Sequence, residues 1–184
     1  MTRMNAWKHF ITISKHRRLV FRHCRKAGLF WQGLVHDLSK FSWAEFSVGV
    51  QYYQENRSPN EKERREIGYS TAWLHHQGRN KHHFEYWLDY NPVKKMLSPI
   101  EMPPRYLVEM VCDRMAASKV YEGSNYTNAS PLEYLLRSKD RIMMHEQTKE
   151  DLERLLTLLK DEGEEALFEQ LRLLVKSEKK RHIQ

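Results

Sequence analysis

Leu34-Val35-His36-Asp37-Leu38-Ser39-Lys40-Phe41 is the stretch on which the reading of this chain turns. Adjacent His and Asp at the end of an apolar run offer one nitrogen and one carboxylate, a pair that holds a borderline divalent ion and leaves positions for water. Trp31, Leu34 and Val35 are expected to drive the preceding helix into the core. An ionised Asp37 carried there costs on the order of several kcal/mol unless a cation or hydrogen-bond donors compensate it. The plain alternative is that Asp37 caps the next helix or pairs with Lys40. If Lys40 is instead free, it points to an anionic substrate.

Working outward, other segments supply partners for the pair. Ile13, His16, Val20 and Ala27 fall on one helical face, so His16 points inward, with His9 and His23 near the same face. Taken singly, His16 reads as a hydrogen-bonded core residue; next to His36 and Asp37 it reads as a ligand. Asp113 has Met110, Ala116 and Ala117 three and four residues away, so a carboxylate there faces inward beside small side chains. Pairing with an arginine of another helix is its structural alternative. The densest cluster is His75-His76-Gln77-Gly78-Arg79-Asn80-Lys81-His82-His83-Phe84-Glu85-Tyr86-Trp87. Two adjacent histidines cannot both face inward from one helix, so one of each pair orients a ligand or faces substrate; His76 and His83 are favoured as ligands, with His75 and His82 as close alternatives for those positions. Arg79, Asn80 and Lys81 are candidate phosphate donors.

The scaffold reads as almost entirely helical, because apolar positions recur at three and four and no stretch makes a convincing strand. Ser42-Trp43-Ala44-Glu45, Ser98-Pro99-Ile100-Glu101 and Ser130-Pro131-Leu132-Glu133 each match a capping box, Ser at the cap and Glu three residues on. The spacing predicts helices over about Asn5 to Lys26, a short one ending at His36-Asp37, Trp43 to Glu55 and Glu61 to His76. An irregular segment to about Leu97 follows, then helices from Pro104 to Val120 and Pro131 to His145 around a Glu122 to Ala129 loop. Lys149 to Lys160 and Glu164 to Lys176 form a closing helical hairpin around Gly163. One domain over 1–184 is expected, with a metal-binding core at about 5–121 and C-terminal helices at about 131–178.

Composition limits the function classes. At 184 residues the chain buries a core without disulfide support, and Cys24 and Cys112 form neither a disulfide framework nor a Cys-x-x-Cys zinc pattern. No apolar run approaches the roughly 20 residues of a membrane span, and residues Met1 to Phe10 lack a signal-peptide pattern, so a cytoplasmic protein without a membrane partner is expected. The formal charge of +7 and pI of about 9.4 attract phosphates, with basic residues crowded at Lys15 to Arg18, Arg22 to Lys26 and Lys176 to Arg181. Solvated helix faces account for most of that charge; a phosphorylated small molecule is favoured over nucleic acid. There is no Walker loop, no Gly-x-Gly-x-x-Gly, no Gly-x-Ser-x-Gly elbow and no His-Glu-x-x-His helix.

The order His16, His36-Asp37, histidines at 75 to 83, then Asp113, all on helical segments, resembles the HD superfamily of metal-dependent phosphohydrolases over roughly residues 10 to 120. His36-Asp37-Leu38-Ser39-Lys40-Phe41, Asn80-x-His82-His83 and Cys112-Asp113 look more closely like a small uncharacterised bacterial and phage family with an HD-like pattern, extending the resemblance nearly to residue 160. The resemblance implies an all-α, HD-domain-like bundle in which His16, His36, Asp37 and Asp113 hold one ion, and Asp37 bridges to a second held by His76 and His83. It implies one or two divalent transition metals (Mn, Fe, Zn, Co or Ni) and hydrolysis of a phosphate ester of a nucleotide or small metabolite. Asp37, Lys40 and His82 would be catalytic, and Lys40, Arg79, Asn80, Lys81 and His75 would contact substrate. The sequence departs from the superfamily in setting its third and fourth histidine positions only seven residues apart and doubling each. Two alternatives stand beside this reading: a di-iron oxygenase on the same scaffold, and a non-catalytic, metal-stapled regulator that binds nucleotide or nucleic acid.

Overall fold

A computed structural model describes residues 3–55, 57–138 and 142–181, with the side chains of 179–181 outside that description. The longest amphipathic stripe in the sequence becomes α1 (Arg3–Ala27), which buries His9, Ile13, His16, Val20, His23, Cys24 and Ala27 along one face. It packs chiefly on α6 (Pro104–Glu122), whose buried face runs from Leu107 to Ala116. These two helices form the floor of the site, since His16 and Asp113 are contributed by their facing sides. The floor is backed by α7 (Ser130–Leu136) and α8 (Glu146–Arg181). Leu152, Leu155, Leu156, Leu159, Leu167 and Leu171 are fully buried there and close one continuous core with Val20, Cys24, Val111, Cys112 and Met115.

The hairpin expected at the C-terminus is present inside α8. Gly163 has φ 86° and ψ −175°, a conformation that favours glycine. Met102 N–H donates to Thr148 Oγ1, and Arg105 N–H donates to Glu178 Oε2. A straight helix would separate residues 148 and 178 by about 45 Å, whereas residues 102 and 105 lie within about 11 Å of each other along the chain. The helix therefore reverses at Gly163 and brings both ends to the start of α6.

The site's roof is built from shorter pieces: α2 (Phe30–Val35), a 3-10 turn at Leu38–Phe41, α3 (Trp43–Gln51), α4 (Pro59–Ile67) and α5 (Thr71–Gln77). The single helix expected from Glu61 to His76 is two. It ends at Gly68 in the left-handed region and restarts at Ser70, whose Oγ accepts from Trp73 N–H and donates to the buried Glu63.

The strand-free expectation is also corrected. β1 (Leu88–Asn91) and β2 (Met96–Pro99) pair antiparallel, Leu88 opposite Pro99. Ser98-Pro99-Ile100-Glu101 is therefore not a helix start; α6 begins at Pro104 after Pro103. Ser42 does precede α3 in extended geometry but makes no capping bond, and Ser130 is the first residue of α7 with its hydroxyl donated to Glu122. Helix α7 ends at Leu136 rather than His145, and residues 139–141 of that expected helix lie outside the described ones. The tail run from Lys176 likewise extends beyond the described side chains. Among the described residues, no helix is long and apolar enough to cross a membrane.

Candidate metal centre

Asp37 has φ 53° and ψ 27°, left-handed geometry that Asp tolerates better than most residues. Because the chain turns there, His36 and Asp37 both point inward, at 2% and 1% exposure, although adjacent helical residues would diverge. The apolar residues before them do not drive this burial, contrary to the sequence expectation. Trp31, Leu34 and Val35 are exposed. Backbone contact seats α2 instead: Gly33 lies so close to α1 that a Cβ there would stand 2.6 Å from Cys24 Cβ. Arg17 also donates to His36 O at 2.7 Å and Leu34 O at 3.0 Å, which fixes the end of the helix.

Around Asp37 the side chains fall into two sets that share it. His16, His36, Asp37 and Asp113 bring candidate ligand atoms within 4.8 Å of one another, and so do Asp37, His76, His82 and His83. The two oxygens of Asp37 divide between them. Oδ2 lies 3.3 Å from His36 Nε2 and 3.7 Å from His16 Nε2, while Oδ1 lies 3.2 Å from His76 Nε2 and 3.4 Å from His82 Nε2. Asp113 Oδ1 completes the first set at 2.9 Å from His16 Nε2. It pairs with these imidazoles rather than with an arginine of another helix. His76 and His83 meet through their Nε2 atoms at 2.9 Å in the second set.

Two carboxylates that the sequence reading missed aim the imidazoles. Glu109 Oε1 accepts from His36 Nδ1 at 2.9 Å and stands 3.2 Å from His82 Nδ1, while its other oxygen accepts from Gln32. Glu45 accepts from His75 Nδ1 and from His76 Nδ1, each at 2.7 Å. For His36, His76 and His82 such a contact favours the proton on Nδ1, so that the neutral ring carries its lone pair on Nε2, the atom that faces Asp37. His36, His82 and Glu109 also lie close enough to be a third ion group, but their mutual contacts use the Nδ1 atoms, so Glu109 is an orienting group.

Asp37 Oδ1 and Oδ2 and the Nε2 atoms of His16, His36 and His82 are buried without a well-formed hydrogen bond. Lys40 reaches Asp37 Oδ2 and Asp113 reaches His16, but these nitrogens and carboxylate oxygens otherwise converge on one another, and a donor set of that chemistry fits a bound cation. The charges conform: burial opposes ionisation of Asp37, but His36, Lys40, His76 and His16 outweigh it and hold the carboxyl well below its usual range. For Asp113, burial is outweighed by His16 and His36. Burial likewise resists charge on His36, yet Asp37, Asp113 and Glu109 raise it well above an ordinary imidazole. His83 is pushed well below by burial and by His82 and His76. Glu109 is lowered to about 2 despite burial, because His36 and His82 donate to it.

Every expected ligand (His16, His36, Asp37, His76, His83 and Asp113) is brought together. His82, expected as the alternative to His83, joins it rather than replacing it, because residues 81–83 form a turn rather than a helix, which lets both face the same side. His75 diverges from His76 on α5 and holds Glu45 instead of facing the centre. Lys40 Nζ is 2.6 Å from Asp37 Oδ2, so the ion pair foreseen as the plain alternative is formed, beside the candidate ligand atoms. Asn80, expected to contact phosphate, is a brace: its amide donates to Ser39 Oγ at 2.9 Å and His76 O at 2.8 Å. Arg79 and Lys81 are exposed, the first donating to His75 O and the second lying over the Tyr86 and Tyr106 rings. His9 and His23 are buried away from these sets.

No curated protein and no solved structure matches this chain significantly. One family model does match, over residues 5–158, a span that runs from the first turn of α1 through α7 into α8 and holds every candidate ligand. On that match the chain belongs to the family of unknown function DUF5662.

Proposed function

We propose that this chain is a metal-dependent phosphohydrolase with an HD-like site, acting on a nucleotide or a small phosphorylated metabolite. The division of the two Asp37 oxygens between two histidine-rich sets carries the reading, because it is what a carboxylate bridging two ions requires. His16, His36, Asp37 and Asp113 would hold one ion and Asp37, His76, His82 and His83 the other. A divalent transition metal bound there (Mn, Fe, Zn, Co or Ni) supplies Lewis acidity toward a phosphoryl oxygen and a coordinated water of lowered pKa. Lys40 sets its charge 2.6 Å from Asp37 Oδ2, at the edge of the candidate ligand set, where it would also neutralise a phosphate oxygen brought to the centre. Burial and the neighbouring His82 and His76 disfavour the charged form of half-buried His83, which keeps an imidazole lone pair for an ion. Arg79 and Lys81 add positive charge on the exposed turn that carries His82.

The test is metal analysis of purified protein together with phosphate release from nucleoside monophosphates and 4-nitrophenyl phosphate. Asp37→Asn, which tolerates the left-handed backbone, should lose bound metal and activity together. Full phosphatase activity in that variant overturns the assignment. Iron with substrate-coupled oxygen uptake and no phosphate release would favour the oxygenase. Ligand-induced thermal stabilisation without turnover would favour the regulator.

A further inference from the structure

Arg114 follows Asp113 on α6, and Tyr121 lies seven residues further, so Arg114 and Tyr121 share a helix face turned about 100° from the ligand Asp113. Arg114 is within electrostatic reach of Asp113, of Tyr134 on α7 and of Glu85, two residues after His83. Tyr121 is within reach of Lys40, Asp113, Tyr134 and Asp37. These residues therefore gather beside the metal-ligand set on the side of α6 and α7. Two polar atoms among them are buried without a hydrogen-bond partner: Arg114 Nε, a donor, and Glu85 Oε2, an acceptor. The opposite charges lie near one another but make no hydrogen bond or ion pair. Arg114 and Glu85 are half-buried, and a guanidinium nitrogen and a carboxylate oxygen buried without a partner carry a penalty, which a ligand with an acceptor for one and a donor for the other would relieve.

We infer that Arg114 and Glu85 form a substrate subsite next to the metal centre, for a phosphate monoester whose alcohol carries neutral hydrogen-bond donors, as in a sugar phosphate or a nucleoside monophosphate. Arg114 takes a phosphoryl oxygen and Glu85 takes a hydroxyl of the alcohol. An ammonium group in that second place is disfavoured because Arg64 and Arg114 both lie within reach of Glu85. This inference rests on the phosphohydrolase reading for the position of phosphorus, though binding to the subsite needs no turnover.

The experiment uses metal-loaded protein and titration calorimetry with inorganic phosphate, ribose 5-phosphate and n-butyl phosphate. The wild type should bind ribose 5-phosphate about tenfold more tightly than butyl phosphate. Arg114→Gln should weaken all three by about tenfold at unchanged metal content, and Glu85→Leu should bring the ribose-to-butyl ratio close to one. Glu85→Gln serves where the leucine variant does not fold, and should also lower the ratio. Unchanged phosphate affinity in Arg114→Gln, or an unchanged ratio in both Glu85 variants, overturns the subsite. Phosphate release by the wild type with either of those results would leave the phosphohydrolase reading standing. Binding with the expected variant effects but no release would sustain the subsite and count against hydrolysis.

Discussion

Glu109 stands 2.9 Å from His36 Nδ1, buried with it and four residues ahead of Asp113 on the same face of α6. One helix thus supplies both a candidate ligand and the group that aims a neighbouring one. Because Glu109 also reaches His82 Nδ1 at 3.2 Å, it braces one imidazole from each of the two sets. Glu109→Gln removes the charge while keeping the shape, and about a 10- to 100-fold loss of metal affinity in both sets is expected. Competition with a chromophoric chelator measures it; unchanged affinity would show that the imidazoles orient without Glu109.

Glu45 touches His76 and His75 but no residue of the first set. Glu45→Gln should therefore weaken only the ion held with His76, lowering bound metal from two equivalents toward one, whereas Glu109→Gln acts on both. Metal-to-protein ratios after gel filtration distinguish the two patterns. Equal losses in the two variants would contradict the division of the Asp37 oxygens.

How far all this was legible in sequence is clearest from these carboxylates. The candidate ligands declared themselves because an inward-facing His or Asp is rare: His16 breaks an apolar stripe, and Asp113 sits among small residues. Glu109 carried a comparable signal, a lone acid inside Leu107-Val108-Glu109-Met110-Val111, one helical turn before Asp113. Glu45 was disguised, since Ser42-x-x-Glu45 fits a capping box while its carboxylate binds imidazoles on α5. The doubled histidines could not be resolved from periodicity, because that depends on α5 stopping at Gln77 and on a turn at 81–83. Long helices with clear stripes were readable; the three-residue break at Gly68 to Ser70, made by a left-handed glycine and a serine cap, and the short hairpin at Leu88–Pro99 are features that no apolar stripe encodes.

The seating of α2 through Gly33 gives a stability prediction. A Cβ at residue 33 would meet Cys24 Cβ at 2.6 Å and the Phe21 backbone at 3.3 Å, and Cys24 is completely buried, so neither neighbour yields easily. Gly33→Ala should destabilise the protein by about 1–3 kcal/mol through overpacking. It should also weaken metal binding, because the displaced helix carries His36. Urea unfolding and chelator competition report the two effects, and a variant as stable as wild type would mean that α2 is not held by this close approach.

His23 offers a pH test away from the ligands. Its Nδ1 donates to Cys112 O at 3.2 Å, and Lys119 Nζ lies 3.3 Å from Nε2. Burial, then the Lys119 charge, pull its pKa from 6.5 to about 4. Between those values the unfolded chain binds a proton that the folded chain refuses, so stability falls as pH drops through the window. The limiting slope for one such group is about 1.4 kcal/mol per pH unit. His36 and His76, raised by their carboxylates, act in the opposite direction in metal-free protein, so the total slope is not diagnostic. The difference between wild type and His23→Gln isolates the effect. Urea midpoints from pH 7 to 4.5 should fall more steeply in the wild type than in the variant, and parallel curves would mean that His23 does not resist protonation in the fold.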